Sequence, residues 1–283
     1  MILVTGATGN VGRHVVSLLL DAGREVRALT RDPGSARLPK GAEVVRGDLA
    51  DPSTLGAALD GAESVFLVWP TLSADHAAPA TIEALAGRAR RVVYLSGRGV
   101  RDDDLAPEPG SILGSHVAVE RLIRRFAGEW TFLRPGGFAA NTLMWAAQIR
   151  DTGVVRWAHG GASRALIHER DIAASGVIAL TGAGHDGAAY ELTGPRTLTQ
   201  IEQVTAIGQA IGRPVRWEEL PHATVVRELL GQGWPAAVAE GVLSAHAGMV
   251  AVPETTTSTV EKLTGAPATP FESWARDHAA DFR

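Results

Sequence analysis

The first four residues are apolar, residues 5–13 read TGATGNVGR, and from Val11 onward apolar side chains recur at helical spacing (Val11, Val15, Leu18, Leu19). This pattern predicts a buried strand, a tight turn and an amphipathic helix in immediate succession. The same change of period repeats down the chain. Residues 25–30 alternate like a strand and stop at the turn Arg31-Asp32-Pro33-Gly34. Residues 42–46 form a third short strand running into Gly47-Asp48-Leu49, and Asp51-Pro52-Ser53 opens a helix through Leu55 and Leu59. The runs SVFLV (64–68) and RVVYL (91–95) are near-continuously apolar, as strands buried on both faces are. A helix at about 75–87 separates them, and a helix at 115–127 leads to a strand at 130–133. Strands and helices alternating in this way predict an α/β fold, a right-handed parallel sheet with helices on both faces.

From Phe138 the character changes. A Trp- and Met-containing helix is expected at 142–149, a hairpin-like piece at VVRWA (154–158), and a helix opening at Asp171-Ile172-Ala173. A strand at 189–192 follows, then a capping box at Thr199-Gln200-Ile201-Glu202 with a helix to about 211. After a strand at 214–220, the rest reads as two or three Ala-rich helices broken at 231–235. Two domains are expected: 1–150, to which about 166–182 contribute, and a smaller lobe over 151–283.

The turn after the first strand carries the most specific chemistry. Gly6 permits a sharp exit from the strand, Gly9 leaves room for a pyrophosphate to approach the backbone, and Gly12 lets helix and strand pack closely. The free N–H groups at the helix start then face an anion. Thr8, Asn10 and Val11 complete the loop, so a dinucleotide cofactor is expected on Gly6, Thr8, Gly9, Asn10, Val11 and Gly12. Further cofactor contacts are expected at the carboxyl ends of other strands, at Arg31, Asp48, Leu49, Val68, Trp69 and Ser96. Arg31 stands where an acidic residue would mark NAD, and its guanidinium can pair with a 2′-phosphate, so NADP(H) is preferred and NAD(H) is the alternative.

Composition narrows the rest. The 283 residues carry a formal charge of −4, which gives no whole-chain basis for binding nucleic acid or an anionic membrane. There is no cysteine, which excludes disulfides, thiol nucleophiles and Cys-ligated metals, and the histidines show no metal-ligand spacing. No apolar stretch approaches the roughly 18 residues that span a bilayer. A cytoplasmic monomer or homodimer acting on a small molecule is expected.

Taken in order, these pieces resemble the NmrA-like branch of the atypical short-chain dehydrogenase/reductases. The matching stretches are TGATGNVGR at 5–13, GDLADPSTL at 47–55, SVFLVWP at 64–70, LRPGGFAANTL at 133–143, HERDIA at 168–173 and YELTGPRTLT at 190–199. The resemblance implies a Rossmann-type doubly wound sheet with a smaller C-terminal α+β lobe, and an activity like that of NADPH-dependent quinone reductases. The wider superfamily uses a Tyr and, four residues on, a Lys. Here the only tyrosines are Tyr94 and Tyr190 and the only lysines Lys40 and Lys262, none so spaced. At the corresponding helix stand His116 and Glu120, four apart and on one helical face. His116 is expected to protonate a carbonyl or quinone oxygen, with Glu120 raising its pKa. Trp69, Phe138, Met144 and Trp145 are candidates for an apolar substrate wall. A non-catalytic NADP(H) sensor and a redox-neutral biosynthetic enzyme are the competing readings.

Overall fold

The computed structural model describes residues 1–101 and 110–283. In chain order its strands are β1 (Ile2–Val4), β2 (Val26–Thr30), β3 (Glu43–Arg46), β4 (Ser64–Val68), β5 (Arg91–Leu95), β6 (Glu129–Pro135), β7 (Val154–Trp157), β8 (Ser163–Arg164), β9 (Ala188–Leu192), β10 (Leu198–Thr199) and β11 (Arg216–Glu219). Its helices are α1 (Gly12–Asp21), α2 (Gly56–Leu59), α3 (Ala78–Ala86), α4 (Ile112–Phe126), α5 (Ala146–Thr152), α6 (Glu169–Thr181), α7 (Gln200–Ile211), α8 (His222–Gly231), α9 (Ala236–Ala251), α10 (Thr259–Thr264) and α11 (Phe271–Asp277). They form two compact units. The first comprises Met1–Pro135, Glu169–Leu192 and Lys262–Gly265, the second Gly136–His168, Thr193–Glu261 and Ala266–Arg283.

The first unit is a seven-stranded sheet of order β3-β2-β1-β4-β5-β6-β9, parallel at every pairing. The alternating side chains of each strand feed two cores. On one face Leu3, Val65, Leu67, Val92, Tyr94 and Phe132 pack under α3 and α4 through Ile82, Leu85, Val119 and Ile123. On the other, α1 and α6 lie against each other, and Gly176 of α6 admits the ring of Phe66, which a Cβ would meet at 2.6 Å. Strand order reverses between β1 and β4, the switch point beside which open α/β sheets bind ligands.

The second unit holds two small sheets, β8 with β10 antiparallel and β7 with β11 parallel. Its core gathers Trp145, Trp157, Ile207, Leu229, Leu243, Phe271, Trp274 and Phe282. The capping box forms as expected, with Thr199 Oγ1 accepting from the Glu202 N–H and the Glu202 carboxylate accepting from the Thr199 N–H.

Four expectations are corrected here. The first segment of the first unit ends at Pro135, not at 150, because the 3₁₀ segment Ala139–Trp145 and α5 carry Trp145 and Ile149 into the second core. The helix expected at 142–149 is accordingly a 3₁₀ run followed by a short α-helix. The VVRW segment forms no hairpin, since it pairs in parallel with β11 some sixty residues on. Residues 188–192, placed by their sequence position in the smaller lobe, instead close the edge of the main sheet against β6.

Candidate active site

The glycine loop has the shape that a phosphate cradle requires. Gly6 sits at φ +58°, and a Cβ there would lie 2.8 Å from the Val68 Cβ at the end of β4. A Cβ on Gly12 would collide with the Gly6 carbonyl oxygen, so only glycine lets α1 start this close to β1. Gly9 closes the turn by donating its N–H to Gly6 O at 2.9 Å. Thr8, Gly9 and Asn10 are exposed, Val11 is buried beneath them, and no acidic side chain stands in the first turn of α1. The N–H groups of Arg13, His14 and Val15 already donate to Gly9 O and Val11 O, so the pull on an anion comes from the loop ahead of them and from the positive end of the helix dipole. The residues present therefore fit a dinucleotide's pyrophosphate.

Thr5, which the sequence reading passed over, fixes the switch point. Its hydroxyl accepts from the Val68 N–H at 2.7 Å and donates to Val68 O at 3.0 Å, tying the ends of β1 and β4 together. Thr5 had only its place at the end of an apolar run to signal it. At the end of β2 the Arg31 guanidinium is exposed and makes no hydrogen bond or ion pair with the described residues. Asp32 turns inward on its own loop and accepts from the Gly34 N–H at 3.1 Å, which removes it as a competitor for the arginine. After β3, Asp48 Oδ1 accepts from the Ala50 N–H at 2.9 Å, a turn-forming role, while Leu49 is buried and its carbonyl accepts from Thr81.

Beyond β4 and β5 a polar cluster is buried where the expected catalytic pair stands. Ser111 caps α4 by accepting from the Gly114 N–H, which sets the helix phase. The Tyr94 hydroxyl lies 2.6 Å from His116 Nδ1. Burial pushes the Tyr94 phenol well above its usual value, with the Glu120 and Asp75 charges adding to the rise. Burial also lowers His116 to about 4, opposed by the Asp75 carboxylate. Both groups are neutral near pH 7, so Tyr94 donates to Nδ1 and His116 carries its proton on Nε2. The Nε2 edge faces Gly97, where a Cβ would stand 3.4 Å away.

The expected pairing of His116 with Glu120 is corrected. Glu120 accepts from Ser96 Oγ at 2.6 Å and from Arg134 Nε and Nη2 at 3.0 and 2.7 Å, all buried. It anchors α4 to the ends of β5 and β6, and it does not raise the histidine's pKa. Ser96 is committed to that ion pair. Arg134 was not singled out because it lies fourteen residues from Glu120 with no periodic relation to it. Trp69 is also reassigned: only 4% exposed, it packs in the sheet core and donates its indole N–H to Asp75 at 2.9 Å. Asp75 also accepts from Ser115 Oγ at 2.8 Å.

Of the remaining wall candidates, Trp145 is buried in the second unit's core against Trp217, which makes it packing, not wall. Met144 is 41% exposed, and Phe138 is half-buried beside its bridge to Ile167. Among the described residues no His, Asp or Glu group is arranged to hold a metal, and no helix is long and apolar enough to cross a membrane.

Comparison with known proteins agrees with a dinucleotide-binding fold. The profile described as NAD(P)H-binding matches residues 6–180. The chain is 42% identical to (4-alkanoyl-5-oxo-2,5-dihydrofuran-3-yl)methyl phosphate reductase of Streptomyces griseus, covering 100% of this chain and 99% of that one. It is 37% identical to NAD(P)H azoreductase of Xenophilus azovorans, over 100% and 99% of the two chains. The crystal structure of the Escherichia coli NADPH-dependent quinone oxidoreductase with NADPH superposes with TM-score 0.80 at 26% identity, covering 98% and 99%. With its glycine cradle, its all-parallel sheet and these relatives, the chain belongs to the NAD(P)H-binding family, in the NmrA-like branch of the atypical short-chain dehydrogenases/reductases.

Proposed function

We propose that this protein is an NADPH-dependent reductase of conjugated carbonyl compounds, quinones or enones, and that His116 serves it as a neutral hydrogen-bond donor. The observation that carries the reading is the glycine cradle after β1 together with a buried Tyr94–His116 pair near the carboxyl end of β5 in the same sheet. Two of the relatives are named for conjugated carbonyls, a quinone and an oxo-dihydrofuran, and a third is named an azoreductase. NADPH, when bound, supplies the hydride. The loop 6–12 would hold its pyrophosphate and Arg31 its 2′-phosphate. His116 Nε2–H points a donor at the carbonyl oxygen and polarises it, while Tyr94 fixes the tautomer. Burial keeps the Tyr94 phenol protonated and turned to His116, and solvent completes the protonation of the reduced product. A quinone or enone tolerates this because its reduced oxygen is a weak base. The low net charge favours a small-molecule partner, and a cytoplasmic monomer or homodimer completes the proposal.

The test is to mix purified protein with NADPH and a panel of quinones and enones and to follow nicotinamide absorbance. Turnover is expected. Tight NADPH binding with no turnover on any acceptor supports the sensor reading instead. Arg31→Ala is expected to weaken NADPH binding about ten-fold while leaving NADH nearly unchanged, the scale of one charge-assisted phosphate contact. Equal losses for both cofactors would remove the NADP preference.

A further inference from the structure

The second unit contains a half-buried cation, Arg164, with a buried Nε that has nothing to hold. Arg164 ends β8, and its guanidinium makes no hydrogen bond with any described residue; its Nε is buried without an acceptor. The nearest acid, Glu254, attracts it through space, but the Glu254 carboxylate accepts from the Ala165 N–H at 2.8 Å. The guanidinium instead lies close against Gly137, where a Cβ would stand 2.6 Å from Cζ. Facing the same region from α9 is His246, 6% exposed, whose Nδ1 is likewise buried without a partner. Burial, and after it the neighbouring Arg164 charge, keep His246 neutral. Helix α9 packs on β8, so two buried ring and guanidinium nitrogens without partners, Arg164 Nε and His246 Nδ1, belong to one region; leaving them unsatisfied is costly, and an anion with several acceptor oxygens relieves the cost at the arginine.

We propose that Arg164 and His246 form an oxyanion site for a phosphate ester carried by the substrate, an inference that rests on the reductase reading only in calling that molecule a substrate. The planar guanidinium fork matches two phosphate oxygens, and His246 offers a third hydrogen bond. Gly137 is the specificity element, since any side chain there displaces the fork. The cofactor's own phosphates are provided for by the glycine loop of the first unit.

Calorimetry on the full chain, with saturating NADP⁺ to fill that loop, tests the site using phenyl phosphate, benzoate and benzyl alcohol. Phenyl phosphate is expected to bind most tightly and benzyl alcohol not measurably. Arg164→Gln is expected to weaken phenyl phosphate at least about ten-fold, the scale of a lost charge-assisted pair. Gly137→Ala, which keeps the charge but moves the fork, should do the same, and it carries the test if Arg164→Gln does not fold. Unchanged affinity in the folded variants, no binding by the parent chain, or tighter binding of benzoate overturns the proposal. The readout is binding, so a protein that takes phenyl phosphate but reduces nothing refutes the reductase reading and leaves this site standing.

Discussion

Glu120 and His116 stand one helical turn apart and have opposite fates. The Glu120 carboxylate is buried in a two-pronged ion pair with Arg134, completed by Ser96. Glu120→Gln removes the charge without changing the shape and takes the carboxylate away from the buried Arg134 guanidinium, so it should cost about 3–5 kcal/mol of stability in urea unfolding. A loss below about 1 kcal/mol would show the pair to be dispensable. His116, held at about 4 by burial, binds fewer protons in the folded chain than unfolded between about pH 6.5 and pH 4. Its contribution is thus complete above pH 6.5 and is lost as the pH falls toward 4. His246, lowered to about 3, acts in the same direction. His116→Asn should flatten the dependence of Tm on pH in that window; an unchanged slope contradicts the assignment. The neutral imidazole also predicts a kcat that is flat from pH 6 to 8, with His116→Ala slowing turnover by about ten-fold, the value of one hydrogen bond. A rate that falls through pH 6.5 would restore the imidazolium acid. The helical period showed that the two residues share a helix face. It could not show that Ser96 and Arg134, from separate strand ends, would claim the glutamate.

At the scale of elements, the glycine loop was the most legible part of the sequence because its function and its packing demand the same residues. Gly12 admits no Cβ against the Gly6 carbonyl, whereas a Cβ on Gly9 would stand 3.2 Å from that same oxygen. Gly12→Ala should therefore lower Tm and abolish NADPH binding together, as overpacking that costs about 1–3 kcal/mol. Gly9→Ala should fold with little change in Tm and lose cofactor affinity by about ten-fold or more, because its side chain intrudes where the phosphate lies. Identical behaviour of the two variants in both measurements would refute this division of roles. The strands β1, β4 and β5 were equally legible, since burial on both faces leaves an unbroken apolar run. The short edge strands were not. β7 and β11 pair in parallel across a long sequence separation, and a local pattern of four residues carries no information about a distant partner.

On the scale of the molecule, the first unit is assembled from three separate segments of chain. Continuous stretches of sequence suggested a boundary at 150, but the chain leaves the sheet at Pro135 and returns at Glu169 to add α6 and β9. α6 completes one face beside α1, and β9 covers the outer edge of β6. The parallel sheet is thereby extended by a strand that an order-of-appearance reading assigns elsewhere. The membership of the chain in a family of NAD(P)H-binding proteins was legible at this scale because the motifs extend from the first strand to beyond residue 190. The fate of the hydride is the claim on which the functional account depends. Its most direct measurement uses NADPH deuterated at the transferable position of the nicotinamide together with an enone acceptor. The account predicts that deuterium leaves the cofactor and appears on the β-carbon of the reduced product, with a primary isotope effect on turnover. Cofactor that binds and keeps its label in the presence of every acceptor would contradict it.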